Sequence, residues 1–507
     1  MKKFLSIFAL GLMLSGCYVD VSNIIDIINS NLPVTSESSN ERPSQITSGS
    51  SLNKGLTGNE YLRYYTDISG CEYYPSTGNN KMLVVPVMFK GETLKNSNSV
   101  LKDLDLVFNG SEESTGWESV SSYYYKSSYG KLNIDADVLD YWVTIDKTVS
   151  QVANLGYDRY TDPSIYVLNY VQNYLKDKID LKEYDGDKDG FVDGVWLVYG
   201  NGSYSNYFSN SSAVEDLLWA YTYWNVDNEP NINNPAFNVY CWGSYDFMYE
   251  SKKSNTSIKV DAHTFVHETG HMLGLDDYYD YDSKNNPTGC LDMMDYNIGD
   301  HNSYSKWMMG WVEPKVFDYE DGAIEISSFT DTGDFIIVPS DNSTDCSPLS
   351  EYLAIEFYTP TGLNELDSSK SYLGSYPKMF SEIGVRIYHV DSRLGEFVYQ
   401  RNDWYYKNYI KNYSLNDLYS NTGYDNYFAI FNNNTPSYSF KDENKLIRLV
   451  SAYRGNNYIF KDNEYASNKD LFNDSSFLRS FRFNDGNVLE FNIEFKTKGN
   501  SIIVYFE

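Results

Sequence analysis

Metal-binding side chains lie close together in the segment HETGHMLGLDD, which begins at His267. His267 and His271 are four residues apart, so on a helix both imidazoles lie on one face and can bind one metal ion. Neutral imidazole suits Zn²⁺, and a catalytic zinc ion keeps three protein ligands and one water. Gly274 allows a sharp turn after the helix, which would bring Asp277 back as the third ligand. The segment therefore predicts a catalytic zinc site.

Glu268 follows the first ligand directly and is expected to point toward the open coordination position of the metal. A bound zinc ion lowers the pKa of its water to about 7 and polarises a substrate carbonyl. Glu268 would act as general base on that water and then deliver the proton to the leaving amine. This chemistry predicts a zinc-dependent endopeptidase whose substrates are proteins or peptides.

Two other functions compete with this prediction. A cell-surface binding lipoprotein with a zincin fold would carry out no turnover, and the presence of Glu268 beside all three ligands disfavours it. A zinc aminopeptidase would take its third ligand from a glutamate on a separate downstream helix. Gly274 and Asp277 disfavour the aminopeptidase because they complete the ligand set locally.

The segment LDMMDY, from Leu291 to Tyr296, lies downstream of the zinc motif. Met294 resembles the methionine of the Met-turn, which forms a hydrophobic floor beneath the zinc ligands of metzincins. Tyr296 has the spacing of a tyrosine that supports the transition state. The chain has 49 tyrosines, so a packing role for Tyr296 is an equal alternative.

An acidic loop, DGDKDGFVD from 185 to 193, has alternating carboxylates and a glycine at its bend. Such a loop can wrap oxygen ligands around Ca²⁺. Trp196 stands where an EF-hand has its bidentate glutamate, so the loop is not a full EF-hand. We expect a structural calcium site, and a solvated acidic turn is the alternative. The candidate ligands are the carboxylates of Asp185, Asp187, Asp189 and Asp193, with the backbone carbonyl of Phe191.

The other histidines are not expected to bind the zinc. His263 lies one turn before His267 on the same helix face, but the three-ligand count is already complete. His301 is expected to pack or to hydrogen-bond near the site, and His389 to be structural.

The elements that position these residues change in character along the chain. MLVVPVMF, from Met82, predicts a buried strand, and helices are predicted near 120–129, 162–176, 257–275 and 303–311. After residue 315 the apolar runs predict strands separated by polar turns. Those runs are AIEISSF, DFIIVP, EYLAIEFY, GVRIYHVD, KLIRLVSAY, VLEFNIEF and SIIVYFE. The fold class is therefore α+β, with a catalytic domain over 56–315 and a β-rich, sandwich-like domain over 316–507.

The first seventeen residues predict a bacterial lipoprotein signal peptide that ends at Cys17. Acylation of that thiol would hold the protein on the outer face of a bacterial membrane. Residues 18–55 are rich in Ser, Asn and Thr and predict a flexible tether. An ordinary secretory signal is the alternative.

The formal charge of −30 disfavours a nucleic-acid partner, since phosphates would be repelled. We expect a monomer with no transmembrane helix. The cysteines after Cys17 permit two disulfides in an exported chain, with the pairing open. These are Cys71, Cys241, Cys290 and Cys346.

Several segments resemble the immune inhibitor A-type family of bacterial secreted zinc metallopeptidases, over about residues 80–395. They are WESVSSYYYKSSYGKLNI, DGDKDGFVDGVWLVYG, HETGHMLGLDDYYD, GDHNSYSKWMMGWVEP, EYLAIEFYTPTGLN and GVRIYHVD. The resemblance implies a metzincin-like domain, built from a twisted sheet and an active-site helix. It also implies zinc held by His267, His271 and Asp277, Glu268 as catalytic base, and endopeptidase activity.

Overall fold

The computed structural model describes most of the chain from residue 55 onward. The described ranges are 55–155, 162–203, 211–251, 257–281, 285–318, 322–341, 346–374, 376–400, 403–409, 414–423, 425–434 and 444–507. The predicted signal peptide, the lipid-attachment residue Cys17 and the tether up to residue 54 lie outside them.

Helices and strands mix along the whole described chain. The α-helices are α1 Gly58–Ser69, α2 Ser97–Asn109, α3 Glu112–Thr115, α4 Val120–Ser127, α5 Val149–Ala153, α6 Ser164–Leu175, α7 Ser212–Leu217, α8 His263–Met272, α9 Met293–Tyr296, α10 Ser303–Met308, α11 Phe329–Thr332, α12 Glu365–Ser369 and α13 Leu415–Asn421.

The strands of the first half are β1 Gly78–Met88, β2 Leu132–Val138, β3 Val143–Thr144, β4 Phe191–Val192, β5 Val195–Tyr199, β6 Tyr221–Trp224, β7 Ala236–Phe237, β8 Val239–Ser244 and β9 Asn285–Asn286. Those of the second half are β10 Lys315–Val316, β11 Ala323–Ser327, β12 Phe335–Pro339, β13 Glu351–Tyr358, β14 Gly384–Asp391, β15 Leu394–Gln400, β16 Asp403–Tyr409, β17 Asn426–Ile430, β18 Ile447–Val450, β19 Phe460–Lys461, β20 Phe477–Leu478, β21 Ile493–Lys498 and β22 Ser501–Phe506.

The first half is built on a sheet in the order β2-β1-β5-β8-β6, with β3 also paired to β1. All its pairs are parallel except β6 with β8, so the edge strand β6 runs antiparallel. Strand β1 is buried on both faces, which explains its continuous apolar run. Met82 and Val84 face one core, whereas Leu83, Val85 and Val87 face another.

Helix α8 lies on the first of these faces. Its Val266 and the Trp196 side chain of β5 belong to the same apolar core as Val84. Helix α6 covers the opposite face through Val167 and Val171. The first half is therefore a layered α/β arrangement, and the molecule as a whole is mixed α and β.

The second half forms separate sheets, in the orders β10-β12-β13-β14-β18, β11-β22-β21-β20 and β16-β15-β17. Side chains of the first two share a core that includes Ile355, Ile387, Ile502 and Val504. The predicted runs EYLAIEFY and GVRIYHVD match β13 and β14 in full. The predicted run VLEFNIEF is strand only from Ile493 onward.

The largest core contains residues from both sides of residue 316. Leu62 and Met294 lie in the same buried cluster as Tyr352, Tyr388 and Phe460. The predicted boundary at 315/316 stays a prediction, because the structure shows one continuous core across it.

Helix α1 precedes Met82, where ordered structure was expected to begin at the latest. Thr57 and Glu60 form a capping box, which satisfies free backbone N–H groups at the helix start. Tyr61, Tyr64 and Tyr65 are buried on the inner face of the helix. Within the described residues, no helix has the length and apolar character needed to cross a membrane.

Candidate metal centre

Helix α8 is buried along its whole length, although its sequence is not uniformly apolar. Its polar groups are paired inside the core. The Trp196 indole N–H donates to Thr269 Oγ1 at 3.1 Å, and the Tyr124 hydroxyl donates to the Val266 carbonyl at 2.7 Å. The helix is shorter than the predicted 257–275. It is held between the sheet and helix α4, so the ligand face has a fixed position.

Gly274 makes the turn that follows helix α8, as the sequence predicts. Its φ is +101°, a backbone conformation that residues with a Cβ rarely adopt. A Cβ there would also stand 2.8 Å from Leu62 Cδ2 on helix α1. The tight turn lets the Leu275 N–H reach the Gly270 carbonyl at 3.0 Å, and it directs Asp277 back toward the helix.

The three predicted zinc ligands converge. Asp277 Oδ1 lies 3.1 Å from both His267 Nε2 and His271 Nε2. The two Nε2 atoms are also 3.1 Å apart. All three side chains are buried, and they form a group of compatible ligand atoms.

The opposite ring nitrogens decide how the imidazoles are protonated. His267 Nδ1 lies 2.8 Å from the Met293 carbonyl, and His271 Nδ1 lies 2.7 Å from the Leu275 carbonyl. A carbonyl only accepts, so each Nδ1 carries a proton, and each ring, when neutral, presents an Nε2 lone pair to the centre. Two lone pairs and a carboxylate oxygen at these distances repel unless a cation lies between them. The donor set fits Zn²⁺.

The charges of the site lead to the same conclusion. Burial acts against the charged form of His271, but the Asp277 carboxylate raises its pKa to about 9. Burial likewise acts against the charged form of Asp277, and the two histidines hold its pKa well below the usual range. The carboxylate therefore favours a positive charge at the centre, either a proton on His271 or a bound cation.

Glu268 is buried beside the ligands and faces the edge strand β6. The Thr222 hydroxyl donates to the Glu268 carbonyl oxygen at 2.8 Å and lies 3.4 Å from its carboxylate Oε2. The Cys241 thiol lies 3.3 Å from the same carbonyl. Burial raises the pKa of Glu268, while the charges of the two ligand histidines act to lower it. A buried carboxylate near a metal has the properties of a proton acceptor.

Met294 packs against helix α8 at Gly270. Its Sδ would be 2.6 Å from a Cβ at Gly270, so the small residue allows close packing. The Met294 carbonyl accepts from the Tyr278 N–H at 2.8 Å. The neighbouring Met293 has a role that the sequence did not indicate, because its carbonyl orients His267.

Tyr296 packs among other aromatic rings. Its ring centroid is 5.0 Å from that of Tyr376 and 6.2 Å from that of Tyr465. The Tyr296 hydroxyl bonds with Cys290. Burial is the main cause that raises the pKa of Tyr296, and the interaction with Cys290 raises it further. These contacts agree with the packing alternative, and they show no bond to a zinc ligand.

Another tyrosine contacts the third ligand. The Tyr281 hydroxyl donates to Asp277 Oδ2 at 2.8 Å. The Tyr279 hydroxyl also bonds with Asp277, and burial together with that carboxylate raises the pKa of Tyr279 far above its usual value. Sequence reasoning placed the tyrosines here in the cleft without assigning this contact. The spacing within DYYDY carries no signal specific enough to reveal it.

The acidic loop brings together three of its four predicted carboxylates. Asp185, Asp187 and Asp193 form a group whose ligand atoms lie within 4.8 Å of one another. Asp185 Oδ1 is buried without a hydrogen-bond partner. Burial and the neighbouring carboxylates raise the pKa of Asp193 to about 7. The oxygen cluster therefore fits a divalent cation.

One predicted carboxylate, that of Asp189, lies outside that group. Asp189 Oδ1 accepts the Phe191 N–H at 2.7 Å, which closes the turn instead of joining the cluster. Phe191 lies in the short strand β4, paired with β7.

The remaining histidines have structural surroundings. His263 is stacked on Trp117 with ring centroids 3.6 Å apart, and its Nδ1 lies 2.7 Å from Asp261 Oδ1. His301 is buried among aromatic rings, and burial lowers its pKa well below the usual value. His389 Nε2 lies 2.9 Å from Glu351 Oε1 in the second half.

The cysteines give no disulfide in the described residues. Cys241 and Cys290 are buried free thiols, and Cys346 is a partly buried one. Cys71 is buried in the large core.

Comparison with known proteins adds no family assignment. No protein-family model matches the chain. No curated protein matches it either. The function is therefore argued from the geometry of the two clusters.

Proposed function

We propose that the protein is a zinc-dependent endopeptidase with a metzincin-like catalytic half. The observation that carries the proposal is the convergence of His267 Nε2, His271 Nε2 and Asp277 Oδ1 at 3.1 Å from one another. Both imidazoles have their Nδ1 atoms engaged by carbonyl oxygens, which leaves metal-binding lone pairs. The family resemblance of the flanking segments supports the same activity.

The chain's own residues supply binding, orientation and proton transfer. When bound, zinc would polarise a peptide carbonyl and lower the pKa of a water. Glu268 would accept a proton from the attacking water and would donate it to the amine that leaves. Thr222 of strand β6 and Cys241 of strand β8 hold the backbone carbonyl of Glu268 against the sheet. The Glu268 side chain is buried.

The test uses Glu268→Gln, which keeps the side-chain shape and removes the proton acceptor. The purified protein should contain one zinc ion and cleave casein internally. The variant should keep its zinc and lose about 10²- to 10⁴-fold in cleavage rate, because general-base catalysis contributes that much.

Other results would favour the competing functions. Release of single terminal residues would support an aminopeptidase. A zinc-loaded native protein that leaves casein intact, after removal of any inhibitory N-terminal segment, would exclude the peptidase and support a binding lipoprotein.

A structural calcium ion is the second part of the proposal. Asp185, Asp187 and Asp193 would hold it, and the unpaired Asp185 Oδ1 carries the argument. Such an ion would fix the loop that leads into strand β5.

The proposed location is the outer surface of a bacterial membrane, with a lipid on Cys17. Mass spectrometry of the N-terminal peptide would detect the acylated cysteine. A mature protein that retains the first seventeen residues, or whose signal peptide is cleaved at a different position, would contradict the proposed lipid anchor.

A further inference from the structure

The two carboxylate oxygens of Asp277 have different partners. Oδ1 lies 3.1 Å from each histidine Nε2, at the point where the ligands converge. Oδ2 accepts the Tyr281 hydroxyl at 2.8 Å. A phenol donates one hydrogen, so this bond fixes which oxygen faces the metal position.

We propose that Tyr281 is a positioning residue that sets the zinc affinity of the site by holding Asp277 in its one-oxygen binding orientation. The inference rests on the proposed zinc site and extends it to a residue beyond the ligands. A carboxylate ligand is itself oriented by hydrogen bonds, and loss of such a partner weakens metal binding about 10- to 100-fold.

Tyr281 can act in this way because the segment before it is anchored. Asn433 Nδ2 donates to the Tyr278 carbonyl at 2.8 Å, and the Tyr278 hydroxyl lies 2.6 Å from Ser305 Oγ. Asp280 forms a buried pair with Lys445 at 3.5 Å. These contacts hold the backbone on both sides of Tyr279, so the hydroxyl of Tyr281 returns to Asp277 at a fixed distance.

Tyr279 acts beside Tyr281, since its hydroxyl also bonds with Asp277 and its ring packs against that of Tyr281. Its ring centroid lies 5.5 Å from that of Tyr281, with the planes tilted by 57°. The packed ring restricts the rotation of Tyr281. This packing orders the ring independently of the metal, which lowers the entropic cost of holding the hydroxyl on Asp277.

The decisive variant is Tyr281→Phe, which removes one hydroxyl and keeps the ring. Tyr296→Phe is the matched control, because Tyr296 shares the neighbourhood but shows no bond to a zinc ligand. Zinc Kd is measured for the full protein by competition with a chromogenic chelator. We expect Kd to rise about 10- to 100-fold in Tyr281→Phe and to stay within about twofold of the native value in Tyr296→Phe.

Two further measurements separate the possible causes. Unfolding of the metal-free proteins shows whether Tyr281→Phe is folded. The visible spectrum of the Co²⁺-loaded proteins reports ligand geometry directly, and we expect it to change in Tyr281→Phe and not in Tyr296→Phe. A native Kd and a native Co²⁺ spectrum in Tyr281→Phe would overturn the inference. If the native protein itself binds no zinc, the proposed function fails, which is a distinct result.

Discussion

At the scale of single residues, the turn at Gly274 connects helix α8 to Asp277, the third proposed zinc ligand. Two separate causes make glycine necessary there. The backbone has φ of +101°, and a Cβ would stand 2.8 Å from Leu62 Cδ2. Gly455 has φ of +100° but no neighbour within 4 Å of a Cβ. A substitution at Gly455 therefore measures the cost of the backbone conformation alone.

We expect Gly274→Ala to destabilise the protein more than Gly455→Ala. Backbone strain costs about 1–3 kcal/mol in both variants, and overpacking against Leu62 adds about 1–3 kcal/mol in the first alone. Denaturant unfolding measures the free energy of unfolding of each variant. The zinc Kd should rise only in Gly274→Ala. Equal losses of stability in the two variants would show that overpacking against Leu62 does not contribute to the destabilisation.

The convergence of the three proposed zinc ligands was predictable from the sequence because their spacing is local. His267 and His271 share one helix, and Asp277 returns within one turn. The groups that orient them were not predictable. The Met293 carbonyl and the Thr222 hydroxyl reach the site only through tertiary packing, which no spacing in the chain encodes.

At the scale of elements, the acidic loop should act as a cation-dependent support for strand β5. Asp187 belongs to the three-carboxylate group, whereas Asp189 bonds to the Phe191 N–H. Calcium that binds only the folded state adds about 2.7 kcal/mol of stability at 100 times its Kd.

We expect Asp187→Asn to lose most of this calcium-dependent stabilisation and Asp189→Asn to keep it. The asparagine at 189 retains the oxygen that accepts the Phe191 N–H. Thermal unfolding with added Ca²⁺ or with a chelator measures the difference. If calcium leaves the native unfolding temperature unchanged, the loop is the solvated acidic turn that the sequence also allowed.

Element prediction succeeded where a strand is buried on both faces. Strands β13 and β14 have every residue buried, so their apolar runs predicted both boundaries. Helix α1 was missed because its inner face is made of tyrosines in a tyrosine-rich chain. Its capping box, Thr57 with Glu60, is the signal that could have located its start.

At the scale of the whole molecule, the second half contributes to the setting of the metal centre. Strand β19 pairs with β9, in the loop between Asp277 and Met294. A Cβ at Gly289 in that loop would stand 2.5 Å from the Cβ of Ala466. The backbone around the ligands therefore depends on residues beyond the predicted boundary.

We expect residues 55–315, expressed alone, to lack cooperative unfolding and tight zinc binding. The fragment exposes the face that Tyr352 and Phe460 cover in the shared core. Calorimetry and zinc titration check this, with residues 55–507 as control. A fragment that melts in one sharp transition and binds zinc as tightly as the control would establish an independent catalytic domain.

Helix α1 also bears on the order in which the chain folds. The Tyr64 hydroxyl bonds with Thr422, 358 residues away, and Tyr61 accepts the backbone N–H of Ile430, 369 residues away. Closing such long loops is slow, since their entropy is lost before the contacts form. Asn433 and Lys445 anchor the segment after Asp277. Because both lie far along the chain, they are also synthesised late. A chain still in synthesis has the two histidines early but cannot yet anchor the segment after Asp277, so the proposed site should bind zinc tightly only after residues 433 and 445 have been made.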